Sequence, residues 1–296
     1  MTTPTLLLHF EDEHESALQL ARAAGLALAQ IERHRFPDGE IKLRLPLPLP
    51  ESVVILRTLD HPNEKLLELL LAARTARELG ARHLTLVAPY LAYMRQDVAF
   101  QPGEAVSQRI VGRFLADLFD AVITVDPHLH RIATLREAVP VPRAIALTAA
   151  ALLADLIAER RQRPLLVGPD DESAQWITQA AARHGFDHAV CSKVRHGDRA
   201  VTIELPPMEV AGRAVVLLDD VASTGQTLAR AARLLLAAGA VSVDVAVTHA
   251  LFAGDALQVI LDAGVGEVWS TDCIRHPTNV VSVAPLIAAA LSGTTP

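Results

Sequence analysis

Aromatic residues make up only 4% of the 296 positions, and cysteine and tryptophan occur twice each. With so few rings and no disulfide framework, the core has to be aliphatic, built from Ala, Leu and Val. Cys191 and Cys273 permit one bridge at most, and their scarcity points to two free thiols in a reducing cytoplasm. A basic excess is missing too: 27 Lys and Arg stand against 34 Asp and Glu, a net charge of −7. That argues against nonspecific nucleic-acid binding, which needs a positive surface. Anionic small molecules remain open, because a local cationic cluster or a divalent metal overrides the global field. The apolar runs are broken by charge or proline short of a membrane span, and MTTPTLLLHFEDEHE has no basic leader. The expectation is a soluble cytoplasmic protein with neither a nucleic-acid nor a membrane partner.

What is present is a rhythm of short apolar runs alternating with longer amphipathic ones. Thr5–His9, 53–57 (VVILR), HLTLVAPY and AVITVDPH read as buried strands. Between them, 16–28 reads as an Ala/Leu helix stopping near Gly25, and EKLLELLLAARTAREL as a helix capped by Asn63. The segment 104–119 spaces Val106, Ile110, Phe114 and Leu118 along one helical face. The proline-rich VPVPR (139–143) marks a boundary, and the rhythm then starts again. A helix over 147–159, LLVGPD, a helix through Ala182, AVCSKVR, AVVLLDD, a helix over 228–238 and VSVDVAVTHAL follow, with NVVSVA and a short helix at the end. Such β-then-α alternation implies right-handed crossovers and mainly parallel sheets flanked by helices, an α/β fold. Two domains are expected, 1–145 and 146–296.

The most informative stretch is VVLLDDVASTGQT (215–227). A buried strand runs into Asp219 and Asp220, then into a loop of small and hydroxylated residues, then into a helix. Strand, loop and helix N-terminus together turn N–H groups toward one point, where an anion can sit. Two carboxylates beside it can accept from sugar hydroxyls, so the pocket suits a sugar phosphate. No Walker loop or dinucleotide fingerprint is present. Elsewhere local chemistry alone favours plainer readings: FPDGE (36–40) as a tight turn, Arg95-Gln96-Asp97 as solvated surface, Lys193 and Arg195 as an exposed basic stretch. His128 and His130 cannot be told apart on local chemistry.

LLDDVASTGQT resembles the phosphoribosyl diphosphate (PRPP) loop shared by phosphoribosyltransferases and PRPP synthases. Four further segments resemble the synthases specifically, in the family's order and approximate spacing: FPDGEI (36–41), PYLAYMRQD (89–97), VDPH (125–128) and KVR (193–195). The resemblance, to a divergent, archaeal-like member of the ribose-phosphate diphosphokinase (PRPP synthase) family, covers nearly the whole chain. It implies two tandem phosphoribosyltransferase-like domains, the first on the ATP side and the second carrying the ribose 5-phosphate loop. It implies a transferase and kinase of nucleotide biosynthesis, making PRPP and AMP from ATP and ribose 5-phosphate with Mg²⁺. By the resemblance, Phe36, Asp38, Gly39, Glu40, Arg95, Gln96, Asp97 and His128 bind ATP. Asp219, Asp220, Ser223, Thr224, Gly225, Gln226 and Thr227 bind ribose 5-phosphate. His128 and Asp170 place the metal, and Lys193 and Arg195, on a loop that closes over the phosphates, are catalytic. A homo-oligomer, a dimer or a hexamer of dimers, follows from the family's ATP site, often shared across a subunit interface. Three positions depart from the pattern: Val98 where a basic residue is common, Asp171-Glu172-Ser173 in place of Gly-Gly, and Ser223 where an acid is usual. The alternatives are a phosphoribosyltransferase, with one sheet domain and a hood, and a non-catalytic synthase-like regulator.

Overall fold

A computed structural model describes residues 5–129, 131–196, 200–205 and 208–293. Contacts divide the chain into two units: one runs to Leu147 and resumes at Val283, the other is Thr148–Ser282.

The first unit contains, in chain order, β1 (Thr5–His9), α1 (His14–Ala24), β2 (Ala27–Gln30), β3 (Glu32–Arg35), β4 (Ile41–Arg44), β5 (Ser52–Leu56), α2 (Pro62–Glu78), β6 (His83–Val87), α3 (Ser107–Ala116), β7 (Ala121–Val125), α4 (Leu135–Ala138) and β8 (Arg143–Leu147). Six strands form one parallel sheet, β2-β1-β5-β6-β7-β8. Every residue of β5 and β7 is buried, as strands covered on both faces must be. β3 and β4 form a separate antiparallel ribbon.

The second unit follows with α5 (Ala150–Arg160), β9 (Leu165–Gly168), α6 (Ala174–His184), β10 (Asp187–Val190), β11 (Ser192–His196), β12 (Ala200–Glu204), β13 (Ala214–Ala222), α7 (Gln226–Ala237), β14 (Ser242–Ala250), α8 (Ala256–Leu261), β15 (Val268–Thr271) and β16 (Asn279–Val281). Its parallel sheet is β10-β9-β13-β14-β15-β16, again with a separate ribbon, β11-β12. α9 (Ala284–Ser292) packs on α1, β7 and β8. Residues 283–293 therefore lie with the first unit, whereas the sequence pattern suggested that all of 146–296 forms one domain. The reason is that α9 buries Ile287, Ala288 and Leu291, and the first unit has the apolar face that covers them.

Several elements differ from the sequence pattern. The first helix ends at Ala24, at the Gly25 stop read from the sequence and short of residue 28, because Gly25 adopts φ 65° and Leu26 N bonds back to Ala21 O. Residues 27–30 then pair with β1. Asn63 does not cap α2: the helix starts with Pro62, suited to a first turn whose N–H is unpaired anyway, and Asn63 accepts from the Tyr93 hydroxyl. The helix expected over 104–119 is confined to α3. AVCSKVR is two strands, parted at Cys191, whose N–H donates to Gly168 O at 2.9 Å. Both cysteines are buried and free. Among the described residues no helix is long and apolar enough to cross a membrane.

Candidate active site

In the second unit the chain leaves β9 to one side to make β10, then returns on its other side to make β13. Such a reversal of strand order opens a crevice at the carboxyl ends of the strands, where open α/β sheets bind ligands. β13 lengthens that crevice. It pairs with β9 only as far as Leu217, but with β14 to Ala222. Asp219 and Asp220 thus lie on β13 beyond the end of β9. The strand continues past the two carboxylates instead of stopping there, because β14 is long enough to pair with it.

Asp170 follows β9 and begins a short 3₁₀ turn, its Oδ1 accepting from Glu172 N at 3.1 Å. Asp219 retains some solvent contact but is walled in by protein, as on a crevice floor. Burial, then the charges of Asp220 and Asp170, hold its carboxyl well above the usual carboxylate range. Asp220 is buried and donates its N–H to Asp219 Oδ1 at 3.0 Å. Burial first, then the charges of Asp170 and Asp171, push the Cys191 thiol up to about 11.

Ser223 and Thr224 form a bend after β13, and Gly225, at φ 73°, sits at the N-cap of α7. A Cβ at Gly225 would meet Ala256 O at 2.7 Å, so α8 leaves room only for glycine. No side chain caps α7. Its first turn, with Gln226 and Thr227, carries backbone N–H groups that the helix cannot pair internally, an arrangement suited to an anion beside the carboxylates. The loop is braced from behind: Phe252 N donates to Ala222 O and Ala253 N to Ser223 O, both at 2.9 Å. Phe252 holds φ 34° to do so.

Lys193 and Arg195 fall in β11, opposite Ile203 and Val201 of β12. Their side chains lie outside the described residues, as does His130 in the first unit.

In the first unit the expected residues sit in loops after β3, β6 and β7. Phe36–Glu40 closes the β3–β4 ribbon: Phe36 N donates to Glu40 O (2.8 Å), Gly39 N to Phe36 O (2.9 Å) and Glu40 N to Asp38 Oδ1 (3.1 Å). Phe36 is 38% exposed and meets the His34 ring edge-on. Arg95 is exposed, while Gln96 donates to Val98 O at 3.0 Å. Asp97 is buried against Arg131 Nη1 at 2.6 Å, which ties this loop to the segment after His128. α3 clamps the same loop: Gln108 donates to Met94 O (3.0 Å) and to Gln96 O (3.2 Å). His128 is half-buried and follows Asp126, a buried residue at φ 38°. Tyr93 (φ 64°), Asp126 and Phe252 hold positive φ in the loops after β6, β7 and β14. Local strain of this kind clusters at functional sites.

Sequence reasoning missed two groups. Arg131, the partner of Asp97, carries no motif. A buried charge cluster in the first unit was also invisible: Arg57 reaches Asp12 (2.8 Å), Glu13 (3.1 Å) and Glu68 (2.5 Å). A lone Arg closing the apolar run VVIL was its only trace.

Comparison with known proteins finds relatives along most of the chain. The model of the N-terminal domain of ribose phosphate pyrophosphokinase matches residues 5–118, and that of the phosphoribosyl transferase domain matches 142–263. The ribose-phosphate pyrophosphokinase of Methanopyrus kandleri is 37% identical over 276 residues, 92% of this chain and 94% of that protein. Ribose-phosphate pyrophosphokinase 1 of Archaeoglobus fulgidus is 39% identical over 280 residues, 93% and 96% of the two chains. The crystal structure of phosphoribosylpyrophosphate synthetase from Mycobacterium smegmatis superposes with a TM-score of 0.84 at 25% identity, covering 98% of each chain.

Proposed function

The chain belongs to the ribose-phosphate pyrophosphokinase family, and on that premise we propose that it transfers the diphosphoryl group of ATP to the C1 hydroxyl of ribose 5-phosphate, giving PRPP and AMP. The observation that carries this reading is the crevice on β13: two carboxylates beside an uncapped helix N-terminus, at the point where strand order reverses. Two parallel sheets also count against a phosphoribosyltransferase with a single sheet and a hood.

In this reading Ser223, Thr224, Gly225, Gln226 and Thr227 hold the 5-phosphate, with α7 supplying N–H donors. Asp219 and Asp220 accept from the ribose hydroxyls and fix the sugar. Phe36 lies against adenine, and Asp38 and Glu40 accept from its amino group. Arg95 offers a donor fork to phosphate, Gln96 hydrogen-bonds the nucleotide, and Asp97 holds the loop through Arg131. The C1 oxygen attacks the β-phosphorus. Its bond to that phosphorus forms as the bond from phosphorus to the α,β-bridging oxygen breaks, the hydroxyl proton passes to water, and AMP leaves with the bridging oxygen. Positioning and charge stabilisation carry such a transfer, and Lys193 and Arg195 supply the cations for the moving group.

The site suits Mg²⁺. Among the described residues no three His, Cys, Asp or Glu side chains would hold a metal by themselves. A hard cation here would therefore take substrate phosphates and water for most of its shell, as Mg²⁺ commonly does. Asp170 and His128 are its proposed protein contacts, and a cation near Asp170 would relieve the repulsion that loads Asp219. Bound Mg²⁺ neutralises phosphate charge. Assembly into at least a dimer belongs to the same proposal.

The test is incubation with ATP, Mg²⁺ and ribose 5-phosphate. AMP and PRPP should appear in equal amounts. Nucleotide binding without AMP would instead favour a regulator.

A further inference from the structure

The β3–β4 ribbon carries the turn 36–40 but stands outside the main sheet. A lone two-stranded ribbon is marginal in water, so something else must fix where its turn points. Arg33 and Arg35 are two residues apart on β3 and share one face of it; Glu64 and Glu68 are four apart on α2 and share one face there. Two strand residues rise about 6.6 Å and four helical residues about 6 Å, so the two rows match in pitch.

The side chains use that match. Arg35 forks onto Glu64, Nη1 to Oε1 at 3.2 Å and Nη2 to Oε2 at 2.6 Å. Arg33 Nη1 donates to Glu68 Oε1, and its Nη2 lies 3.6 Å from Asp12. Glu68 is fully buried and is held from behind by Arg57 Nη2 at 2.5 Å. Arg57 in turn lies 4.6 Å over the Phe10 ring. The outer rung, Arg35, immediately precedes Phe36.

We propose that this ladder, Arg33–Glu68 and Arg35–Glu64 backed by Arg57, sets the position of the turn 36–40 toward the nucleotide. Arg33 and Arg35 are then positioning residues for ATP, a role that rests on the assignment of the turn to ATP above. Exposed ion pairs contribute little to stability, so the outer rung can be changed without unfolding the chain.

The experiment makes Arg35→Glu, Glu64→Arg and the two together, in the full chain, and measures turnover with ATP, Mg²⁺ and ribose 5-phosphate. Each single change should raise the KM for ATP by about three- to fivefold, the size of an exposed-pair coupling. The KM for ribose 5-phosphate and kcat should stay as they were, and the double change should restore the KM for ATP. Single variants with an unmoved KM for ATP would overturn the ladder. So would a double variant that stays impaired, because Arg35 would then be touching ATP itself. An unaltered protein that makes no AMP overturns the synthase reading first and the ladder with it.

Discussion

Asp219 is poorly placed to carry charge. Burial and the neighbouring Asp220 and Asp170 raise its carboxyl well above the ordinary range. A group whose folded pKa is raised stabilises the fold at pH below its unfolded value, and that contribution is lost as pH rises through the folded value. At neutral pH the position therefore weighs against the unliganded fold. Asp219→Asn keeps an acceptor for Asp220 N and removes the charge, so it should raise the melting temperature at pH 7–8 by about 2–4 °C. It should also lower kcat/KM for ribose 5-phosphate by about 10–100-fold, the cost of losing a charged hydrogen bond. A variant neither more stable nor less active would refute the assignment. Glu13 offers a second test. It is buried against Arg57 and accepts from Thr58 N at 2.6 Å, and burial raises its carboxyl from 4.5 to about 7, against the pull of Arg57. The sign is the same: its stabilising effect is complete below pH 4.5 and gone above pH 7. That loss is on the order of 3 kcal/mol. Glu13→Gln should flatten the fall in stability across this window, measured by urea unfolding at several pH values. An unchanged slope would mean that Glu13 titrates as an ordinary carboxylate.

At the scale of elements, the turn proposed to hold the 5-phosphate is built around one glycine. Gly225 holds φ 73° while its Cα faces Ala256 O and the Ile260 side chain. Gly225→Ala meets both a steric and a backbone penalty, about 1–3 kcal/mol for the strained φ alone. The loop should yield before the core does, so the KM for ribose 5-phosphate should rise more than the KM for ATP; equal effects would count against a phosphate role for this loop. The strand–loop–helix unit was legible in the sequence because all its parts are contiguous, from Val215 to Thr227. The buried strands were legible because runs such as SVVIL and AVITV are covered on both faces. The β3–β4 ribbon was not. Every residue of β3 is exposed, ERHR shows no apolar alternation, and only its Pro-Asp-Gly turn signals anything. β2 was hidden for another reason: ALAQ has helical composition, and Gly25 decides otherwise. The Arg57 cluster was hidden by distance, since Asp12 is 45 residues away in sequence and Glu68 is 11.

Across the whole molecule the two units repeat one plan, which the sequence suggested only as a rhythm. Gly25 and Gly185 end matching helices at φ 65° and 67°. Leu26 N bonds Ala21 O as Phe186 N bonds Ala181 O, and Ile31 N bonds His9 O as Cys191 N bonds Gly168 O. The ribbon with the turn 36–40 and the ribbon with Lys193 and Arg195 therefore occupy the same place in the two units. Leu8 pairs with Ile55 as Val167 pairs with Leu217, which puts Arg57 where the second unit has Asp219. The first unit fills that spot with its own buried ion pairs, which supports assigning the sugar phosphate to the second unit alone. The repeat is broken at its end by α9, which leaves the second unit behind and packs on α1, β7 and β8. Burying Ile287 and Leu291 stabilises the first unit by about 3–6 kcal/mol, a large share of the ~5–15 kcal/mol that holds a domain folded. A chain ended after Ser282 removes this helix and no other element. Hydrogen exchange read by mass spectrometry should then show amide protection lost in α1, β7 and β8 and kept in β13 and β14. Equal loss in both sheets would mean that α9 serves the second unit as much as the first, and no loss would mean that it stabilises neither.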